Sequence, residues 1–256
     1  MRVKKVWMAT GIALTVVFIG WSLIAYRANA EARAAAVSDA VVASVRDAGT
    51  RRFSPAAEAT SSSIGLLFFP GALVDPMAYA PLARSVAAAG FPVILVELPR
   101  RGAFGGADDP DLLGRVRDLM RKPGGPRRWI VAGHSRGAVV ATDLAALQVP
   151  GVVGLILIGT THPRDVDLSA LRIPITKVLG TNDGIAPERK ADANRHLLPS
   201  ATRWVRIDGG NHSQFGWYGF QPGDHFAGIE AAQQRAQMLT VILDMLTVRD
   251  SVAPVI

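Results

Sequence analysis

The hydrophobic pattern divides the chain into a front and a body. Val6 to Tyr26 runs 21 residues without a charge, with Trp7, Trp21 and Tyr26 near its ends. That length suits a bilayer-spanning helix, and the aromatics suit its interfacial belt. A buried core helix fits poorly, because the run is apolar on every face. From Ala32 to Arg52 the sequence is Ala-rich with scattered charge, and Val37, Val41, Val42 and Val45 recur at helical spacing. This predicts a short helix or stalk. Small and polar residues from Pro55 to Ser63 read as a linker.

Beyond Ile64 short apolar runs alternate with helical patterns. Strands are predicted at 64–69, 92–97, 152–158, 175–179 and 203–207, with one more before Gly133. Helices are predicted at 79–89, 111–120, 138–147, 188–198 and 227–246. Short, fully apolar strands alternating with helices imply an α/β fold, a mostly parallel sheet covered on both faces. The expected organisation is an anchor over 1–27, a stalk or linker over 28–63, a folded domain over 64–248 and a tail over 249–256.

One junction carries chemistry. Trp129-Ile130-Val131-Ala132 is strand-like, Gly133-His134-Ser135-Arg136-Gly137 breaks it, and a helical run follows. Strand, G-x-S-x-G, helix is the pattern of a nucleophile elbow. It would put Ser135 in strained backbone geometry at the carboxyl edge of the sheet and at a helix N-terminus, where developing negative charge is favoured. A plain Gly-rich turn is the alternative. A serine nucleophile needs a base, and the base needs a carboxylate. Asp183 follows the 175–179 strand, and His212 lies in the loop after the 203–207 strand, so both can reach the same edge. Competing bases are His162, expected to line the cleft, and His225, expected at the start of the final helix. His134 is expected to point away from the site and His196 to lie on the surface. Competing acids are Asp165 and Asp167, and Asp208 is an option for closing its own turn. The oxyanion donors are expected to be the backbone N–H groups of Arg136 and of Ala72, with Leu73 as the alternative for the second.

These stretches resemble the α/β-hydrolase superfamily, and most closely its dienelactone-hydrolase-like branch, the alpha/beta hydrolase fold-5 domain. The resemblance rests on Phe69-Pro70-Gly71-Ala72-Leu73-Val74-Asp75-Pro76, Gly133-His134-Ser135-Arg136-Gly137, Gly180-Thr181-Asn182-Asp183-Gly184 and Gly209-Gly210-Asn211-His212-Ser213-Gln214-Phe215-Gly216, and covers about 64–247. It implies a hydrolase without naming an ester; with Ser135, Asp183 and His212 read as a triad, the expectation is a serine hydrolase acting on esters or thioesters that requires no metal or organic cofactor. Arg136 stands where the family often has Leu, and Ala72 where it often has Gly; both leave the backbone donors available. The alternative is a membrane-tethered module of the same fold without activity. Only about 15 residues separate the strand ending near Gly159 from that starting near Ile175, too few for an inserted cap domain. The cleft should therefore be open. Leu73, Phe215 and Trp217 are the expected substrate-binding residues, with Phe104, Tyr218 and Phe220 as further apolar walls; for Phe215 the alternative is core packing.

Composition narrows the rest. Without cysteine, disulfide and thiolate chemistry is excluded. The formal charge of +7 suggests nucleic acid, but Arg2, Lys4, Lys5 and Arg27 flank the apolar run; residues 28–256 hold 24 basic and 21 acidic groups, a net +3 that is ordinary for a soluble surface. No nucleic-acid partner is expected; the expected partners are a small-molecule or lipid-like ester and the membrane. The basic cluster around Arg115 to Arg128 reads as a solvated face, with anionic lipid as an option. The charge bias across the apolar run places the N-terminus in the cytoplasm and the domain on the far side. Cleavage after Ala30, in the A-x-A sequence Ala28-Asn29-Ala30, is the competing fate; against it, the apolar run exceeds the usual signal-peptide core. Oligomeric state is not legible.

Overall fold

The computed structural model describes residues 2–56 and 62–251. Part of the expected linker (57–61) and part of the expected tail (252–256) lie outside the described residues. The strands are β1 (Val42–Asp47), β2 (Thr50–Pro55), β3 (Ile64–Phe69), β4 (Val93–Val96), β5 (Arg128–His134), β6 (Val152–Ile158), β7 (Ile175–Gly180) and β8 (Arg203–Ile207). They form one eight-stranded sheet in the order β1-β2-β4-β3-β5-β6-β7-β8. From β4 to β8 every neighbouring pair is parallel; β2 pairs antiparallel with both β1 and β4.

The expectation of a helix or stalk over 32–52 is overturned. Only Ala30–Ala35 is helical (α2), and 42–55 form a hairpin that extends the sheet. Its turn is Ala48-Gly49, with Gly49 at φ 70°, the left-handed backbone a two-residue hairpin loop needs. The valine spacing fits a helix, but strand alternation buries Val42 while Val41 and Val45 stay exposed, and Phe53 on the partner strand is fully buried. The chain after α1 (Arg2–Ala25) is therefore not a stalk that holds the domain away.

The central strands carry large side chains on both faces, so each sheet face needs its own cover. Leu66 and Phe68 of β3 point to one face, which is covered by α3 (Ala80–Ala88) and α7 (Ala231–Ser251) through Leu82, Val86, Met238 and Ile242. Leu67 and Phe69 point to the other, which is covered by α4 (Leu112–Met120) and α5 (Arg136–Ala146) through Leu112, Val116, Val140 and Leu144. The helix expected at 188–198 is shorter: α6 spans Glu188–Asp192, and a separate single turn follows at Arg195–Leu197. At the break the Asn194 side chain donates to the carbonyls of Thr161 and Lys190. Among the described residues no helix lies between β6 and β7, as the short spacing requires.

The helix α1 is about 36 Å long at 1.5 Å per residue. Its stretch Lys4–Ser22 is long and apolar enough to cross a membrane. Its carboxyl end is fastened to the domain. Ala25 O accepts from Gly219 N–H at 2.7 Å, Tyr26 O from Asp75 N–H at 2.8 Å, and Trp217 O from Asn29 N–H at 2.9 Å. Tyr26 and Ala28 are buried in the core.

Candidate active site

Ser135 sits between β5 and α5 with φ 53° and ψ −118°, the strained elbow expected of it. The flanking glycines are steric requirements. A Cβ on Gly133 would lie 2.3 Å from the Gly137 carbonyl, and one on Gly137 would lie 2.1 Å from Phe69 O. The turn can therefore be this tight only with glycine at both places. Ser135 itself remains half-exposed.

Asp183 and His212 come together. The Asp183 loop leaves β7, the His212 loop leaves β8, and the two touch so closely that a Cβ on Gly180 would lie 2.5 Å from Gly210 O. Asp183 Oδ2 accepts from His212 Nδ1 at 2.8 Å, with both side chains buried. Asp183 Oδ1 accepts from the N–H groups of Ile185 (2.9 Å) and Ala186 (2.6 Å), so the carboxylate is fixed on both oxygens. With its proton on Nδ1, His212 presents a lone pair at Nε2, which is buried and has no hydrogen-bond partner among the described residues. No hydrogen bond joins Ser135 to Nε2 in this structure; such bonds commonly close when substrate docks.

Two supporting residues escaped the sequence. Asp224 is a buried acid 12 residues after His212. Its Oδ1 accepts from the N–H groups of Gly184 (3.1 Å), His212 (3.2 Å) and His225 (2.9 Å). Its Oδ2 accepts from Ser213 N–H (2.8 Å) and Ser213 Oγ (2.7 Å). One carboxylate thus binds the acid loop and the base loop together. Nothing in its spacing marks it; the only hint is an acid directly after the Pro222-Gly223 turn. Tyr79, at the end of a single helical turn over Pro76–Tyr79, is the other. Its hydroxyl accepts from Gly71 N–H (3.2 Å) and shares a hydrogen bond with His134 Nδ1 (2.7 Å), which connects the loop after β3 to the elbow.

His134 does not point away as expected. It is fully buried, and its ring lies 4.5 Å from that of His212 and 5.4 Å from that of Phe215. Burial above all, and then His212 beside it, hold its pKa well below the usual histidine range, so it lies against His212 as a neutral ring. The other histidines stand apart. His225 lies exposed in the loop before α7 rather than at its start, and His196 is exposed. His162 is half-buried with its pKa lowered to about 4, through burial first and the charges of Arg164 and Lys177 next, and it makes no contact with Asp183 among the described residues. Asp165 and Asp167 are exposed. Asp208 is exposed too, and the hydroxyl that closes its turn is Thr181 Oγ1, which accepts from Gly209 N–H at 2.8 Å.

Of the expected oxyanion donors, the N–H groups of Arg136 and Ala72 have no acceptor among the described residues, whereas that of Leu73 donates to Arg101 O at 2.8 Å. Leu73 is thus committed elsewhere, and Ala72 is the donor left on that loop. The Arg136 side chain pairs with Asp108 and ties the elbow to the loop after β4. Phe215 and Trp217, expected as substrate walls, are core residues instead. Phe215 is fully buried against His134, and Trp217 is buried with its indole N–H on Glu31 (2.8 Å) and Arg235 over its face. Leu73 is half-exposed, while Phe104 and Phe220 stay exposed near the cleft loops.

Comparison with known proteins agrees with this architecture. No curated protein sequence matches significantly. Among solved structures the chain is similar to TT1662 from Thermus thermophilus (18% identity, covering 83% of this chain and 99% of that one, TM-score 0.59). It is also similar to a predicted CIB-like hydrolase from Thermoplasma acidophilum (15%, 80% and 96%, 0.57). A third likeness is to a ferulic acid esterase from Streptomyces cinnamoneus (19%, 78% and 71%, 0.60). At such identities the likeness speaks for the fold. The sequence profile described as the alpha/beta hydrolase family matches residues 65–236, about two thirds of the chain, and with it the elbow, the acid loop and the base loop. The chain belongs to the alpha/beta hydrolase family.

Proposed function

We propose that the protein is a serine hydrolase that cleaves carboxylic esters or thioesters through Ser135, His212 and Asp183. The observation that carries this reading is the His212–Asp183 pair, buried, 2.8 Å long and with Nε2 unpartnered, beside a serine in elbow geometry. Nε2 takes the Ser135 proton as Oγ attacks the acyl carbonyl. Asp183 orients the ring and stabilises the imidazolium. The Arg136 and Ala72 N–H groups receive the oxyanion, aided by the N-terminus of α5. The tetrahedral intermediate collapses, His212 Nε2–H protonates the departing alkoxide or thiolate, and an acyl-Ser135 ester remains. His212 then takes a proton from water, which attacks that ester and releases the acid and free Ser135.

The same reading places the domain at a membrane, with α1 retained as its anchor and the N-terminus on the cytoplasmic side. Supporting retention, Ala30 begins α2, Asn29 caps that helix by accepting from Ala32 N–H at 2.9 Å, and Tyr26 and Ala28 are core positions. Cleavage after Ala30 would remove all three. The catalytic reading is tested by pre-steady-state kinetics with an activated aryl ester: a burst of leaving group stoichiometric with enzyme is expected, and its absence across short and long acyl chains would refute acyl-enzyme chemistry.

A further inference from the structure

Between α1 and the loops at the cleft lies a slot of about 500 Å³, within the range of about 300–1,000 Å³ typical of small-ligand sites. One wall is the two turns of the apolar helix from Thr15 to Ser22, chiefly Phe18 and Ile19. Thr15 and Ser22 also face it, but their hydroxyls donate to their own helix at Gly11 O (2.9 Å) and Phe18 O (2.7 Å), so this wall offers hydrocarbon. The opposite wall is Leu73, with Phe104 beside it. Leu73 directly follows Ala72, the proposed oxyanion donor, so the slot ends on the oxyanion loop.

The rim has a different character. Arg100 and Arg101 stand at the slot, both in left-handed backbone at φ 48° and φ 51°. Arg101 reaches the Leu73 carbonyl from its side chain at 3.4 Å and accepts the Leu73 N–H on its own carbonyl. Phe104, also left-handed, is 79% exposed. An exposed phenylalanine beside two arginines suits an interface where acyl chains meet charged headgroups.

Position supplies the occupant. Thr15 to Ser22 belongs to the stretch that is long and apolar enough to span a bilayer, and it covers about 10 Å of helix. The three backbone hydrogen bonds after α1 hold the domain hard against that end of the helix. The slot is therefore continuous with the hydrocarbon of a bilayer crossed by α1, and its mouth is basic.

We propose that the slot takes the acyl chain of an anionic membrane lipid, so that the substrate class of Ser135 is a lipid ester presented from the bilayer. This rests on Ser135 being the nucleophile and α1 being the anchor. The ester carbonyl would lie at Ala72, the chain would run between Leu73 and Ile19, and the headgroup would meet Arg100 and Arg101.

The test uses the full chain with Ser135→Ala, so that the probe is not consumed, in phosphatidylcholine vesicles that contain phosphatidylglycerol with a photoactivatable diazirine on its acyl chain. Crosslinked adducts are mapped by mass spectrometry. Adducts at Leu73 or within 100–104 are expected, and filling the slot with Ile19→Trp should lower them about tenfold. Adducts confined to α1, or unchanged in a folded Ile19→Trp protein, would overturn the proposal; if that variant does not fold, the map of the parent chain decides. Fluorophosphonate labelling of the native chain separates the two readings. A labelled Ser135 with adducts on α1 alone removes the lipid substrate and keeps the hydrolase. Adducts at Leu73 without Ser135 labelling remove the hydrolase, and with it the slot's substrate role.

Discussion

The two sides of Ser135 are built differently. On one side, Asp183, His212 and Asp224 are buried and cross-connected, and every carboxylate oxygen is occupied. On the other, Leu73, Arg100, Arg101 and Phe104 all hold left-handed backbone and lie partly or largely exposed, with few hydrogen bonds among them. Proton transfer needs groups fixed to a fraction of an ångström, and the hydrogen bonds on the first side hold its groups in the way the proposed transfer from Ser135 to His212 requires. The second side is a more open set of left-handed loop residues that line a slot with α1, where the proposed substrate would enter.

The largest expected effects break the first side. Ser135→Ala should lower kcat by roughly a millionfold, to the background reaction. Asp183→Asn should lower it by about ten-thousandfold, because an amide cannot hold the same His212 tautomer. Both are read from ester hydrolysis at saturating substrate, in protein whose melting temperature is checked. Asp224→Asn comes next. It replaces one acceptor oxygen by a donor and leaves buried N–H groups unpaired, at about 1–3 kcal/mol each. A kcat drop of roughly 10–100-fold is expected from displacement of His212. A purely structural Asp224 would lower the melting temperature alone and leave kcat of the folded fraction intact. Tyr79→Phe, which strips Gly71 N–H of its acceptor and His134 Nδ1 of its hydrogen-bond partner, should cost about 1–3 kcal/mol of stability by denaturant melt.

The smallest effect lies away from the site. Lys177 on β7 is fully buried, with its ammonium on the His162 carbonyl and near the Trp204 ring. Burial lowers its pKa from 10.5 to about 7. Between those values the unfolded chain binds more protons than the folded one, so stability rises with pH across that window and the penalty is full below about 7. Lys177→Met should therefore raise the melting temperature by a few degrees at pH 6, at roughly 2–4 °C per kcal/mol for a chain of this size, and change it little near pH 10. A gain that is equal at both pH values would contradict the assignment.

How much of this the sequence disclosed follows the same divide. Ser135, Asp183 and His212 stand out in the sequence because each lies in a Gly-containing turn within five residues after a strand, and in a parallel sheet those strand ends share one edge. Asp224 does not, because its role comes from three loops meeting in space. The orientation of His134 is not legible, because sequence position in an elbow does not show that the His212 ring packs against it. The front of the molecule misled most. Val37, Val41, Val42 and Val45 mimic a helix, while the features that mark a hairpin are the Ala48-Gly49 turn and the isolated Phe53. The aromatics after His212 suggest walls because they follow a candidate-site motif; Phe215 and Trp217 instead lie buried in the core.

The central claim is that Ser135 is a nucleophile activated by His212. Intact-mass analysis after a fluorophosphonate probe, with peptide mapping of the adduct, tests it most directly. The account predicts one adduct per chain, located on Ser135, abolished by Ser135→Ala and slowed at least about a thousandfold by His212→Ala. An adduct on another residue, or equal labelling in native and Ser135→Ala protein, would contradict it.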